Sequence, residues 1–306
     1  DVWSDLTNRQ AYSSVLLLNN QAFYFFNDDY NIITFLYTLK DEVIGLASGI
    51  YKKNQDIAYL TFIVVDRHQQ QKGYAHELLL KLESQLLKSN ALLKQIDIVF
   101  FNPIHFAWII PQTNNVYHPN APGIDIKSHA YEFFINHHYQ KYATQNVYYR
   151  KLANYRHSQK TIHTIEALKK QDITITFYDP LYHIGFDELF ISLNSKNWAH
   201  EINDSIQKRL PVLIAAKHQK IIGFAGPLYV QDTLRGYFAG IGIHNDYRGL
   251  GIGSALFSSL CEQLKLLNAS YMTLFTGDTN PARNIYESHQ FKIVKTWANL
   301  RKTIKK

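Results

Sequence analysis

A glycine turn between a strand and a helix constrains the fold of this chain more than any other feature. An apolar run at residues 237–243 predicts the strand, and leucines at helical spacing between residues 256 and 267 predict the helix. The intervening residues 248–253 include three glycines, which allow a tight turn and a close approach of a ligand to the backbone. Unpaired N–H groups and the positive end of the helix dipole face a ligand there, so the sequence predicts an anion site best suited to phosphate.

Two common nucleotide-binding turns do not match this segment. A Walker A loop ends in Gly-Lys followed by Ser or Thr, whereas this turn ends in Gly251-Ile252-Gly253. The glycine spacing also differs from that of the dinucleotide fingerprint. From these residues alone, a plain glycine turn without a ligand remains an alternative.

The same pattern occurs earlier in the chain in a weaker form. A predicted strand, Ile57–Val65, leads to Gln70-x-x-Gly73-x-Ala75, and leucines at helical spacing follow. The two turns lie 178 positions apart (248 − 70), which is too far for a single small domain. The sequence therefore predicts an internal duplication.

Length and composition fit two folded domains. The chain has 306 residues, of which 46% are hydrophobic and 19% charged. We predict domains at residues 1–153 and 154–306, each of the α+β (mixed α/β) class, with a mixed, mostly antiparallel sheet flanked by helices. We expect no membrane span and no signal segment, and the single cysteine, Cys261, is predicted to be a small core residue in a cytoplasmic protein.

The net charge of +7 favours anionic partners, which include phosphorylated cofactors and nucleic acid. The basic residues are nevertheless scattered, apart from a run at residues 301–306 that we expect to be solvated. The aromatic residues recur at core-like periods within predicted strands and helices, which gives no RNA-stacking pattern. We therefore expect no nucleic-acid partner.

A second motif follows the organising helix and its next strand, Tyr271–Phe275. It begins with Asn280 and Pro281, which suit the cap and the first turn of a helix, and continues through Arg283 and Tyr286. A further strand is predicted from Phe291 to about residue 297.

Together the two motifs resemble the GNAT superfamily of acyl-CoA-dependent N-acyltransferases. The turn matches its Arg/Gln-x-x-Gly-x-Gly/Ala pattern, and the later helix matches Asn-x-x-Ala/Arg followed by Tyr-Glu-x-x-Gly-Phe, with Gln290 in place of the glycine. The resemblance is strong over residues 172–304 and weaker over residues 6–152. It implies two tandem GNAT-like units.

The resemblance implies a site for acetyl-CoA in the second unit. The turn would hold the pyrophosphate, and the pantetheine arm would bind between two splayed strands, where Gly240 and Gly242 suit a close backbone approach. Tyr286 would protonate the departing thiolate, or donate a hydrogen bond to it, since full transfer from a phenol (pKa ~10) to a thiol (~8.5) is uphill by about 2 kcal/mol. The implied cofactor-binding residues are Ile241, Gly242, Ile243, Arg248, Gly249, Leu250, Gly251, Ile252, Gly253, Ser254, Asn280, Arg283 and Tyr286.

The first unit departs from the family pattern where chemistry would occur. Its corresponding helix, residues 128–136, has Phe134 in the position of Tyr286, and phenylalanine cannot donate a proton. The proline-containing stretch at residues 102–127 accounts for the longer spacing there, and it is predicted to be either a functional loop or packing between domains. We predict that the first unit is non-catalytic.

Three functions remain open at this stage. The first is an N-acetyltransferase acting on a primary amine, which a preserved Tyr286 favours. The second is a CoA-responsive regulatory protein that transfers nothing, and the third is an RNA- or ribosome-associated protein. The acceptor amine, any general base and the choice between monomer and homodimer are undetermined. Nearby polar residues, His244, Asp246, Asp278 and His289, are predicted to be turn or cap residues.

Overall fold

The computed structural model describes residues 15–16 (backbone only), 30–99, 107–113 and 116–304. Contacts divide the chain into two compact units. The first unit contains residues 1–147 and 294–306, and the second contains residues 148–293. Among the described helices, none is both long and apolar enough to cross a membrane.

The described helices alternate with strands along the chain. The helices are α1 (Tyr74–Ser89), α2 (His129–Asn136), α3 (Gln159–Lys169), α4 (Phe186–Leu193), α5 (Lys196–Gln207), α6 (Ile252–Leu266) and α7 (Arg283–Ser288). The strands are β1 (Val15–Leu16), β2 (Asn31–Leu39), β3 (Glu42–Tyr51), β4 (Ile57–Val65), β5 (Gln95–Ile98), β6 (Ala107–Ile109), β7 (Tyr117–His118), β8 (Ile124–Asp125), β9 (Gln140–Lys151), β10 (Ile173–Phe177), β11 (Leu213–Lys217), β12 (Lys220–Gly226), β13 (Arg235–Gly236), β14 (Gly240–Ile243), β15 (Tyr271–Gly277) and β16 (Lys292–Thr303).

The sheet of the first unit is built from β2, β3, β4, β5 and the end of β16. Neighbouring strands are antiparallel, except that β4 and β5 are parallel over residues 57–59. Helix α1 covers this sheet because its leucines recur on one face, and Leu79, Leu82 and Leu86 are fully buried in the core. Strands β1, β6 and β7 form a separate small sheet.

The second unit has an antiparallel sheet in the order β10-β11-β12-β14. Strand β15 belongs to a different sheet, in which it pairs in parallel with β13 through residues 235–236. Helix α6 supplies the largest share of the core, where Leu256, Leu260 and Cys261 are completely buried. The prediction that Cys261 is a core residue is therefore confirmed.

The two units repeat each other with one shift before the proline-containing stretch and another after it. Strand β4 pairs with β3 through Gly45 and Val65, and β14 pairs with β12 through Gly223 and Ile243, both 178 positions later. After the proline-containing stretch the shift becomes 152, since β9 begins at residue 140 and β16 at residue 292. The predicted duplication is thus present in strand register as well as in order.

The observed units differ from the predicted domains in the placement of two strands. Val294–Thr303 of β16 lies in the first unit, where it pairs with β5 and β8. The last four residues of β9 lie in the second unit, where Leu152 just beyond them donates its N–H to the carbonyl of Ser270. A boundary near residue 153 misses this because a local sequence pattern does not specify which sheet a strand joins.

Several predicted elements differ in their bounds. The predicted strand at residues 237–243 is interrupted, and only residues 240–243 continue as β14. The sequence also predicts a helix from residue 6 to about residue 27. The structure has a short strand at Val15–Leu16 there, and the rest of this stretch lies outside the described residues. Where it is described, the stretch at residues 102–127 packs inside the first unit, with Trp108 buried against Trp297.

Candidate functional site

The predicted anion turn of the second unit is a tight backbone loop that exposes donors. Gly249 and Gly251 have φ values of +84° and +82°, and Gly251 is the N-cap of α6. Among the described residues, no acceptor pairs with the N–H groups of residues 249–254. The Arg248 side chain folds back over the turn and donates from Nε to the carbonyl of Ile243 at 3.4 Å. Such a row of free amides at a helix N-terminus suits an anion.

The first unit contains the same turn, 178 positions earlier. Gln71 and Gly73 have φ values of +62° and +90°, at the positions of Gly249 and Gly251. The Gln70 side chain donates from Nε2 to the carbonyl of Val65 at 3.1 Å, as Arg248 does to Ile243. The N–H groups of residues 71–76 also have no acceptor within the described ranges. The backbone of the turn is therefore duplicated, while the charge of its first side chain is not.

Within the described residues, strand β14 pairs with β12 on one side and has an open backbone edge on the other. The chain before it, at residues 235–236, pairs with β15 of a different sheet. Ile241, Gly242 and Ile243 therefore lie at the edge of one sheet, close in sequence to the point where the chain changes sheet. The two strand glycines have another physical role: a Cβ on Gly240 would collide with the Trp198 ring, and one on Gly242 would collide with side chains of α4 and β12. Their absence of side chains is required for helix packing.

Tyr286 lies on α7 with its ring buried against α6. Its ring centroid is 5.1 Å from that of Phe257 and 6.1 Å from that of Phe238, in the segment that precedes β14. Its hydroxyl makes no hydrogen bond within the part of the chain that the structure describes. Burial, with a smaller effect of Tyr148, raises the pKa of Tyr286 well above that of free tyrosine. Tyr286 is therefore a neutral hydrogen-bond donor at physiological pH.

Phe134 occupies the equivalent place in the first unit. In both units the helix ends with the same hydrogen bond. Tyr139 donates its N–H to the carbonyl of Phe134, and Phe291 donates its N–H to the carbonyl of Tyr286. The residues directly before these two donors, His138 and Gln290, have φ values of +67° and +61°. Gln290 thus adopts the left-handed conformation for which the family uses glycine.

The other predicted residues of α7 hydrogen-bond locally rather than to the turn. Asn280 accepts the N–H of Ala282 at 2.9 Å, and Arg283 donates to the carbonyl of Asp278 and to Glu287. The helix itself begins at Arg283, so Asn280 caps a preceding turn instead of the helix. Glu287 also accepts from Tyr148 at 2.8 Å, and burial together with this carboxylate raises the pKa of Tyr148 to about 12.

Sequence analysis missed the role of His289. It is the C-cap residue of α7, as expected for a cap, but it is also 95% buried, with 5% of its surface exposed. Its Nε2 lies 2.9 Å from Ser254 Oγ, and its Nδ1 lies 3.1 Å from the Tyr155 hydroxyl. Burial lowers the pKa of His289 to about 4, so the imidazole is neutral at pH 7.

The contacts of His289 continue through the second unit. Ser258 Oγ lies 2.8 Å from the Tyr155 hydroxyl and 2.6 Å from His157 Nδ1. The other ring nitrogen of His157 lies 2.6 Å from Glu262. Ser254, Ser258 and Glu262 are spaced four residues apart on one face of α6. This spacing was the available sequence signal, although nothing in it names the partners on other elements.

A cavity of about 330 Å³ opens beside α5. Glu201 and Asp204 contribute carboxylates to its lining, and Lys208 contributes a cation. Glu201 accepts a hydrogen bond of 2.9 Å from Tyr237, which is adjacent in sequence to the Phe238 that contacts Tyr286. The cavity lining is therefore hydrogen-bonded to the residue that precedes Phe238 in sequence.

Comparisons with known proteins agree with these motifs. The model of the acetyltransferase (GNAT) family matches residues 2–101 and 177–291, one region in each half of the sequence. A search of curated proteins gave no match.

Solved structures with the same fold include tandem proteins. A tandem GNAT protein from the clavulanic acid biosynthesis pathway superposes with a TM-score of 0.57 at 12% identity, covering 99% of this chain and 94% of its own. A GCN5-related N-acetyltransferase from Sphaerobacter thermophilus gives 0.57 at 13% identity, over 89% and 81%. A fungal multi-domain β-N-acetylglucosaminidase with a glucosamine N-acetyltransferase region gives 0.60 at 14% identity, over 86% of this chain but only 32% of that chain. At these identities the likeness concerns the fold.

Proposed function

We propose that this chain, which belongs to the acetyltransferase (GNAT) family, transfers an acetyl group from acetyl-CoA to a primary amine in its second unit. The observation that carries the proposal is the combination of the free N–H groups of residues 249–254 with the open edge of β14. The first feature suits a diphosphate and the second suits the amide groups of a pantetheine arm. Acetyl-CoA supplies the activated thioester.

Different residues of the second unit have different roles in the proposed reaction. Residues 248–254 bind the phosphates, and the backbone of Ile241, Gly242 and Ile243 orients the arm and stabilises the oxyanion that forms when the amine attacks the thioester carbonyl. The new carbon–nitrogen bond replaces the carbon–sulfur bond, and Tyr286 donates a hydrogen bond to the departing sulfur. Since its phenol is a weak acid here, complete proton transfer requires a coupled proton from the attacking amine.

The acceptor must reach the site as a free amine. A lysine-like amine of pKa ~10.4 loses its proton at pH 7 at a cost of about 4.6 kcal/mol, whereas an α-amine near 8 requires about 1.4 kcal/mol. The cavity beside α5 offers Glu201 and Asp204 to a cationic acceptor, with Lys208 at the same wall. We propose this cavity as the entrance for the amine.

The cofactor part of the proposal is tested by calorimetric titration with acetyl-CoA. We compare Gly251→Asp with Gly251→Asn, which have nearly the same shape and tolerate positive φ similarly, so that their difference reports charge at the turn. The aspartate variant should bind at least tenfold more weakly than the asparagine variant. Equal affinities in the two variants would place the phosphates elsewhere.

The transfer part is tested by the release of free CoA thiol with a panel of primary amines. Turnover that disappears in Gly251→Asp supports the enzyme. Binding of acetyl-CoA without thiol release for any amine supports instead the regulatory protein that binds and transfers nothing. Steeply salt-dependent RNA binding would support the RNA-associated function, in conflict with the scattered charge.

Location and assembly complete the proposal. We propose a cytoplasmic protein, since the single cysteine is buried and suits a reducing compartment. We expect a monomer, because a tandem chain carries both units already, and a homodimer is the alternative that light scattering would detect.

A further inference from the structure

The hydroxyl of Ser254 lies where the proposed phosphate site meets the interior of the second unit. Ser254 is in the first turn of α6, and side chains in a helix lean towards its N-terminus, in this case towards the free N–H groups of the turn. Its Oγ is within 2.9 Å of His289 Nε2. A hydroxyl has one proton, so it can donate either to His289 or to an anion at the turn.

Ser254 is the first member of a hydrogen-bond chain that ends at a carboxylate. From Ser254 the chain passes through His289, Tyr155, Ser258 and His157 to Glu262, with successive distances of 2.9, 3.1, 2.8, 2.6 and 2.6 Å. Every inner member can both donate and accept. The direction of one bond therefore fixes the direction of the next.

We propose that this chain positions the Ser254 hydroxyl as a hydrogen-bond donor to a phosphate group bound at the turn, and that a proton on His157 sets this direction. The inference rests on the proposed function, which supplies the diphosphate ligand. His289, Tyr155 and His157 act through Ser254 and are positioning residues.

The direction follows from the number of protons on His157. When both ring nitrogens carry protons, one donates to Glu262 and the other to Ser258. Ser258 then donates to Tyr155, Tyr155 to His289, and His289 to Ser254, whose own proton is left for the ligand. When His157 is neutral, with its proton still donated to Glu262, every bond between His157 and Ser254 reverses and Ser254 donates to His289. Its oxygen lone pairs then face the phosphate, which is unfavourable.

The surroundings keep the chain intact. The Arg150 guanidinium lies 4.5 Å from the Tyr155 ring centroid and donates to the carbonyl of His289. Lys265 on α6 donates to the carbonyl of Tyr155 at 2.9 Å, and the neighbouring Cys261 is a buried thiol. The low pKa of His289 keeps it neutral and able to relay a direction. Glu262 is thus the only carboxylate that contacts the chain within the described residues.

The first unit lacks this device. His76 and His137 occupy the positions of Ser254 and His289 and lie 2.7 Å apart. The positions of Ser258 and Glu262, however, are Leu80 and Ser84, which cannot continue the chain to a carboxylate. The hydrogen-bond chain from His289 to Glu262 therefore has no counterpart in the described part of the first unit, which has only the pair His76 and His137.

The test is a calorimetric titration of the full chain with dephospho-CoA between pH 5.5 and 8.5. The probe lacks the 3′-phosphate, whose own ionisation near pH 6 would interfere. The binding event of the second unit is identified by its loss in Gly251→Asp. In the unmodified chain the affinity should fall about fivefold from low to high pH, the usual effect of one hydrogen bond.

Two variants separate positioning from mere stability. Tyr155→Phe keeps the buried ring but removes the hydroxyl that links Ser258 to His289, and Ser254→Ala removes the donor itself. Both should bind with nearly constant affinity across the pH range. Tyr139→Phe is the matched control, since it removes a buried hydroxyl, bonded to Glu83, from the first unit, and it should keep the unmodified pH profile.

The outcomes are distinguishable. A fivefold pH profile that persists in both variants overturns the inference while leaving the proposed function in place. An unmodified chain with no pH profile also overturns it. Failure of the unmodified chain to bind dephospho-CoA at any pH overturns the proposed function and this inference with it.

Discussion

The two units have the same turn but different side chains around it. The strand register, the left-handed residues and the back-folded side chain of Gln70 or Arg248 are shared at a shift of 178 positions. Around this common backbone, Phe134 in the first unit corresponds to Tyr286 in the second, and His76 and His137 correspond to Ser254 and His289. The duplication thus preserved the backbone turn that connects the strand to the following helix. The groups that would do chemistry differ.

The largest expected effect comes from making the second unit like the first at α7. Tyr286→Phe removes the only donor proposed for the departing thiolate, so kcat should fall by roughly 10²–10⁴-fold with little change in the KM for acetyl-CoA. Steady-state thiol release with a responsive amine measures both constants. The reciprocal Phe134→Tyr should leave the rate unchanged. A rate gain there would show that the first unit is catalytic and would break the comparison.

The buried histidine of the second unit makes the stability of the fold depend on pH. The pKa of His289 is lowered from 6.5 to about 4, so the unfolded state gains a proton first as the pH falls. Its contribution is present above pH 6.5 and is lost as the pH falls towards 4, by an order of 2–3 kcal/mol. His289→Asn should flatten the fall in urea stability over this range. Equal slopes in the two proteins would contradict this account.

The charge of the first turn residue is expected to have a smaller effect. Arg248→Gln reproduces the first unit's Gln70 and keeps a side-chain amide that can reach the carbonyl of Ile243. Loss of one charge-assisted contact to phosphate should raise the Kd for acetyl-CoA about tenfold. Calorimetry measures this, with Lys196→Gln on an exposed helix terminus as a charge-matched control. A similar loss in the control would indicate a long-range charge effect only.

The smallest effect concerns a feature that both units share. Gln290 and His138 hold positive φ angles after α7 and α2, at a cost of about 1 kcal/mol each. Gln290→Gly and His138→Gly should each raise the free energy of unfolding by up to about 1 kcal/mol. The gain at Gln290 should be the smaller, because its side chain accepts from Arg150 at 3.3 Å. A loss of stability in either variant would show that the turn is not strained.

The local part of this architecture was predictable from sequence. Leucines at helical spacing gave α1 and α6, and the glycine pattern located both turns, because these signals lie within about twenty consecutive residues. The equivalence of Phe134 and Tyr286 was predictable for the same reason. The family membership followed from the two motifs together.

The non-local part was not predictable. His289 meets Tyr155 and Ser254 across 134 and 35 positions of sequence, and no periodicity connects them. The predicted continuous strand at residues 237–243 failed because its pairing changes sheet between Gly236 and Gly240. The open edge that this change creates was expected only through the family resemblance.

The placement of β16 has a consequence for how the chain folds during its synthesis. Residues 294–303 complete the sheet of the first unit beside β5, yet the ribosome makes them only after the whole second unit. Domains that fold during synthesis do so as soon as their residues emerge. The first unit must therefore wait with β5 unpaired on that side, an exposed strand edge that invites association with other nascent chains.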